Sequence, residues 1–217
     1  MFRQDRTNPS TAISNWRGRH DTTKGWPSTA VSTWLNGGLF GVVGDAWVAL
    51  NTSLLTSDTT TVTMTSAAAT EPWSNFQDLM LISYGRDKYT GAIGHLICKL
   101  NTGSSYRTAD FSGDGSSATS NRYTDSGIRV AIVPRDSADA GEYGTGITIF
   151  SDINDTAKYT TGLTFAGCDQ DGAGIVAQLT SVWESTAAVT SMGIISATEA
   201  ADVADESRFD LFGLRAG

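Results

Sequence analysis

Few residues of this chain have types and spacing that could do chemistry. Its two histidines, His20 and His95, lie in separate segments, and His95 sits inside the strand-like run "AIGHLICKL". A general base needs a partner to orient it, and a metal site needs a second ligand at fixed spacing; His95 has neither in view. A satisfied structural imidazole is the expectation. The chain holds no GxSxG, HExxH or GxxxxGK[ST] run, which removes the common hydrolase, metalloprotease and nucleotide-hydrolase templates. No catalytic residue is therefore assigned, and no cofactor.

The two cysteines, Cys98 and Cys168, show no CxxC spacing, and each lies in or at the end of a strand-like run, so two buried thiols are expected. Three acidic turns could in principle hold calcium: Asp152 and Asp155 in "FSDINDT", Asp169 and Asp171 in "GCDQDGAG", and Asp114 in "SGDGSS". None completes an EF-hand loop, and Asp in turns more often accepts from its own backbone. No metal is assigned. A glycosidase would need two facing carboxylates, which a sequence cannot place. Sugar binding by stacking has one candidate, "YGRDKYTG", with Tyr84, Arg86, Lys88 and Tyr89; the competing reading is a hairpin tip whose charges keep a sheet end solvated.

These residues need a scaffold, and the composition says which. The length of 217 residues suits one β-rich domain, and 23 glycines among many Thr and Ser argue against helix. From Gly37 onward short apolar runs alternate with Gly, Asp, Asn and Ser roughly every ten residues, the cadence of a sandwich. Candidate strands cover 39–43, 47–50, 59–65, 77–84, 92–101, 106–111, 127–133, 146–153, 163–166, 175–182, 189–196 and 207–214, about ten of which should be true strands. Val62 and Met64 share a face in "TVTMT", as do Ile128, Val130 and Ile132 in "IRVAIV", and those faces should point inward. The terminal "SRFDLFGL" puts Phe209 and Leu211 on one side, so the chain end should be a tied-down strand of the sheet. The acidic, Ala-rich "SATEAADVADES" reads as a helical turn or a loop.

Residues 1–36 read differently. Trp16, Trp26 and Trp34 recur among Thr, Ser, Asn, Gly and Pro without a period, and Arg3, Arg6, Arg17 and Arg19 make the segment basic. Residues 1–24 carry a net +3, leaving −11 on the rest of a chain of formal charge −8. Such a segment buries too little apolar area to order alone, so the tryptophans either fold back on the chain's own domain or anchor an extended arm to another subunit. The acidic body without a dense basic run argues against nucleic acid as a partner. No signal-like segment and no apolar stretch of membrane-spanning length is present, so no membrane partner is expected.

Taken in order, "NFQDLMLISYGR", "ICKLNTGSSYRT", "ITIFSDINDTAKYTTGLTFAG", "SVWESTAAVTSMGIIS" and "SRFDLFGL" resemble virion structural proteins of tailed phages, of the marine and cyanobacterial type, over residues 37–214. Trp183, Ile194, Ile195, Phe209, Leu211 and Gly213 occupy the matching places, and Phe212 stands where that family often has Tyr. The resemblance implies an all-β, jelly-roll-like antiparallel β-sandwich over 37–217, preceded by an extended N-terminal arm over 1–36. It implies a non-enzymatic virion component assembled in the host cytoplasm, foremost a capsid cement or decoration protein. The arm residues Arg3, Arg6, Trp16, Arg17, Arg19, Trp26 and Trp34 would contact the major capsid protein or a tail component, and a homodimer or homotrimer is expected. A tail-fibre or receptor-binding component that binds host glycans is the alternative, and a free carbohydrate-active enzyme the reading from another class.

Overall fold

The computed structural model describes residues 47–170 and 174–215, within a unit that spans Ala46–Gly217. The arm residues, the expected strand at 39–43, the expected boundary at 36/37 and Asp171 lie outside the described residues.

Among the described residues twelve strands form two antiparallel sheets: β1 (Trp47–Leu54), β2 (Val62–Thr65), β3 (Asp78–Gly85), β4 (Ile93–Leu100), β5 (Tyr106–Gly113), β6 (Ala118–Asp125), β7 (Ile128–Pro134), β8 (Gly144–Ser151), β9 (Thr161–Cys168), β10 (Ile175–Trp183), β11 (Ser191–Ser196) and β12 (Arg208–Leu214). The larger sheet runs β1-β12-β3-β8-β9-β10-β5-β6 and the smaller β2-β11-β4-β7. Treating β5–β6 and β9–β10 as insertions leaves eight strands. Renumbered along the chain, these run 1-8-3-6 in the larger sheet and 2-7-4-5 in the smaller. That order is the interleaved double Greek key of a jelly roll. The two inserted hairpins extend the larger sheet beyond β8, so it is twice as wide as its partner.

The expected inward faces are inward. Val62, Met64, Ile128, Val130, Ile132, Phe209 and Leu211 are all buried, and β12 lies between β1 and β3. The chain end is therefore an interior member of the sheet. The "SATEAADVADES" stretch is loop, pinned where the buried Val203 bridges both Thr59 and Asp87. Strand β6 was not among the expected strands. Its text, "ATSNRYTD", is polar on both faces because β6 is the edge of the larger sheet, and an edge strand exposed on both sides carries no period-two signal.

The inside of the larger sheet changes character along its width. Over β1, β12 and β3 the inward residues are Leu50, Leu79, Leu81, Phe209 and Leu211. Over β8 and β9 they are Gly144, Gly146, Thr148, Phe150, Gly162 and Thr164. The reason is the close passage of β7. A Cβ on Gly146 would stand 1.9 Å from the carbonyl oxygen of Val130, and one on Gly144 would stand 2.0 Å from that of Ile132. Only glycine admits backbone against backbone at that distance. Beside them Thr148 and Thr164 join hydroxyls at 2.9 Å, and Thr164 donates to the carbonyl of Arg129 at 2.8 Å. Short, hydrogen-bonding side chains fill the narrow side of the sandwich.

Candidate interaction surface

A strand whose inward positions must be small has only its outward positions left for bulk. On β8 these are Ile147 and Ile149 and on β9 Leu163 and Phe165; β10, which keeps Leu179 and Trp183 inside, adds Val176 and Val182 outside. Strand register assembles them into lateral rows. Ile82 pairs with Ile147, Ile147 with Phe165, Phe165 with Gln178, and Gln178 with Phe111. One row over, Met80, Ile149, Leu163, Thr180 and Ala109 are likewise in register. The result is a continuous apolar band on the outer face of the larger sheet, in which Ile147 is 44 %, Phe165 52 %, Phe111 61 % and Val176 68 % exposed.

The outward positions of β8, β9 and β10 hold no charged residue. Charges begin at the margins: Arg208 and Asp210 on β12, Arg107 and Arg122 on β5 and β6, and Asp78 at one end of β3. With strands about 4.8 Å apart and outward residues about 6.8 Å apart along each strand, these two rows on five strands cover about 330 Å². That lies within the range of about 300–600 Å² for the largest patch on ordinary monomers, and such patches are often functional. Water gains nothing from this face, whereas covering it removes apolar area at about 25 cal/mol per Å².

The stretch considered for sugar binding lies at one end of the sandwich, where the loops after β1, β3, β7 and β11 meet. Its four residues do not act together. Tyr84 is outward on β3 and stacks on Tyr143, with ring centroids 4.9 Å apart and planes 12° from parallel. Tyr89 is partly exposed, with the guanidinium of Arg135 4.9 Å from its ring centroid. Lys88 pairs with Asp136 at 3.4 Å and Asp58 at 3.8 Å. Arg86 departs from the expectation of a ligand-facing cation. It is buried, and its guanidinium donates to the carbonyls of Ala138 at 2.6 Å, Asp136 at 3.4 Å, Glu142 at 3.5 Å and Asp139. Its donors brace the loop between β7 and β8. Beside it the fully buried Asp87 accepts from Ser196 Oγ at 3.0 Å, Arg135 Nε at 3.3 Å and the backbone N–H of Tyr89 at 3.0 Å.

Among the described residues, most of the remaining chemical candidates are occupied by the fold. His95, on β4, accepts from Arg129 Nη1 at 3.4 Å, and burial together with the charge of Arg129 lowers its pKa from 6.5 to about 4. Arg129 is gripped by both carboxylate oxygens of Asp125, at 3.0 and 3.2 Å, and lies 3.9 Å over the ring of Tyr123. The imidazole is a neutral acceptor in a cluster that fastens the β5–β6 hairpin to the body. Cys98 is a buried free thiol and Cys168 a half-buried one, its pKa raised to about 11 by burial. Asp114 accepts from the N–H groups and hydroxyls of Ser116 and Ser117, which holds its carboxyl far below the usual range. Asp155 accepts from the N–H of Ala157 at 2.7 Å and pairs with Lys158, as does Asp152. Among the described residues no three metal-ligating side chains converge, and no helix is long and apolar enough to cross a membrane.

The period-two reading missed the apolar face because it assumes that the bulkier side of each strand is the inner one. The signal was in "GTGITIFS", where two glycines alternate with Ile147 and Ile149. Comparison with known protein families, with curated proteins and with solved structures finds no match to this chain.

Proposed function

We propose that the protein is a non-enzymatic structural component of a tailed-phage particle, acting by burying surface against other subunits as a cement or decoration protein of the head. The observation that carries this reading is the uncharged apolar face of the larger sheet. A chain of net charge −8 that keeps three adjacent strands free of outward charge has a surface suited to being covered. Three features of the body support it. The jelly roll is a scaffold much used for packing subunits side by side. Among the described residues, His95, Asp87, Asp114, Asp152 and Asp155 are engaged in holding the fold. The outer face has the relief of a sheet, with an open depression bordered by Arg107, Arg122, Thr180 and Val182 rather than an enclosed cleft. The basic, Trp-bearing segment over residues 1–36 supplies anchors of the kind that dominate binding energy at interfaces.

The test is a census of purified phage particles by quantitative mass spectrometry, with copies counted against the major capsid protein. Hundreds of copies per particle are expected for a head cement protein. About a dozen or fewer would move the protein to the tail, where symmetry limits copy number and the glycan-binding alternative applies. Absence from washed particles would end the structural reading.

A further inference from the structure

We propose that the apolar outer face of the larger sheet is the contact between two copies of this chain, stacked sheet against sheet about a two-fold axis. The proposal names the occupant of the face on which the assembly reading rests.

The polar side chains within the patch select a copy of itself over a partner of other chemistry. A two-fold contact sets each patch against its own image, so every charge meets a like charge and every donor a donor unless the group is both. Strands β8 to β10 present no charge outward, although the chain is acidic. Their central polar groups are Gln178 and Thr180, and each of these side chains both donates and accepts. Gln178 lies between Phe165 and Phe111 in the same row, so its amide can pair with the amide of the second copy while the rings on either side are covered. A partner chosen for charge would find nothing to pair with.

The dimensions agree. About 330 Å² of apolar centre with a rim of charged and polar residues fits inside the roughly 800 Å² per side of a standard interface. The rim charges on β12 and β5 are paired within the chain, Arg208 with Asp210 at 2.8 Å and Arg107 with Glu184, so margins that meet across a two-fold bring little uncompensated like charge together. Stacked sheets lie about 10 Å apart with their strands inclined by about 30°, which lets Ile147, Phe165 and Phe111 interdigitate with their counterparts.

The experiment is sedimentation of the full chain over a concentration series, with Gln178→Arg and Phe165→Glu beside it. Both positions are exposed in the single chain, so circular dichroism and Tm should match the parent. The parent is expected to sediment as a dimer and both variants as monomers, with Kd raised about a hundredfold or more. A parent that stays monomeric, a trimer, or dimers untouched by either substitution would overturn the proposal. Hydroxyl-radical footprinting of the parent gives a reading free of substitutions. Phe111 and Phe165 should lose labelling as concentration rises, and unchanged labelling through dimer formation would also refute it. Monomers found abundantly on particles would sink the dimer and spare the assembly reading; dimers absent from particles would do the reverse.

Discussion

The hydroxyl of Tyr106 accepts the backbone N–H of Leu100 at 2.8 Å and donates to the carbonyl of the same residue at 3.3 Å. Leu100 ends β4 in the smaller sheet and Tyr106 opens β5 in the larger, so one buried phenol ties the crossover where the first inserted hairpin leaves the jelly roll. Burial holds its pKa above the ordinary tyrosine value, and it remains a neutral donor. Tyr106→Phe keeps the ring and strands the N–H. Urea unfolding should show a loss of about 1–3 kcal/mol, the cost of an orphaned buried donor. Tyr84→Phe, at an exposed ring, should change stability by less than about 0.5 kcal/mol.

Arg86 should be as sensitive as a core residue although it is a cation. Its guanidinium reaches four carbonyls of the loop between β7 and β8, a fan that a planar group with five N–H donors can serve and an ammonium cannot. Arg86→Lys is expected to lose about 2 kcal/mol and to speed amide exchange in residues 136–143. Equal stability of the two chains would show that water replaces the missing donors.

Legibility in the sequence followed the physics of each strand. Where one face was buried and the other wet, as in β12 with Phe209 and Leu211 inward and Arg208 and Asp210 outward, alternation gave both the strand and its orientation. Where both faces were wet, as in β6, no pattern existed to be read. Where β7 crowded the inside, as in β8, the strand was legible but its faces were not, since Ile147 and Ile149 point out and Gly146 points in. The centre of the candidate surface, β8 and β9, has small inward residues of this kind, so reading it required the packing of a neighbour distant in sequence.

Stability should fall in mild acid through His95. Its pKa is about 4 in the fold and near 6.5 once the chain unfolds, so between these values the unfolded chain binds the extra proton. The contribution is complete above pH 6.5 and is lost as the pH falls toward 4, to a total of order 3 kcal/mol. Besides burial, the cations Arg129 and Arg135 press the value down, while Asp125 and Asp110 press it up. His95→Gln should flatten the stability profile across that window, measured by denaturant midpoints at successive pH values. A parent profile already flat there would place the imidazole in solvent.

The end of the chain should be indispensable. Phe209 and Leu211 are fully buried in β12, which is hydrogen-bonded to β1 on one side and β3 on the other. Phe209→Ala is expected to cost about 3–5 kcal/mol and Leu211→Ala about 2–5. Removal of residues 208–217 leaves β1 and β3 with unpaired edges inside the sheet, and the truncated chain should fail to give a cooperative thermal transition.

Two glycines test whether the crowding beneath β8 shapes the outer face. Gly146 and Gly193 both lie within strands, and neither has a left-handed backbone, so alanine is conformationally acceptable at each. They differ in what a methyl group meets. At Gly193 the nearest atom is 3.6 Å away, ordinary contact, and Gly193→Ala should be neutral or stabilise by up to about 1 kcal/mol through the unfolded chain. At Gly146 the methyl would stand 1.9 Å from the carbonyl oxygen of Val130, and a backbone atom cannot rotate away. Strand β8 must then lift from β7, breaking the bonds that Thr148 and Thr164 make beneath it, at a cost of about 3 kcal/mol or more. Lifting β8 also displaces Ile147 and Ile149, which share its outer side, so any Gly146→Ala chain that still folds should associate more weakly than the parent. Unchanged stability would mean that the two sheets have room to spare, and crowding by β7 would no longer account for the bulk on the outside.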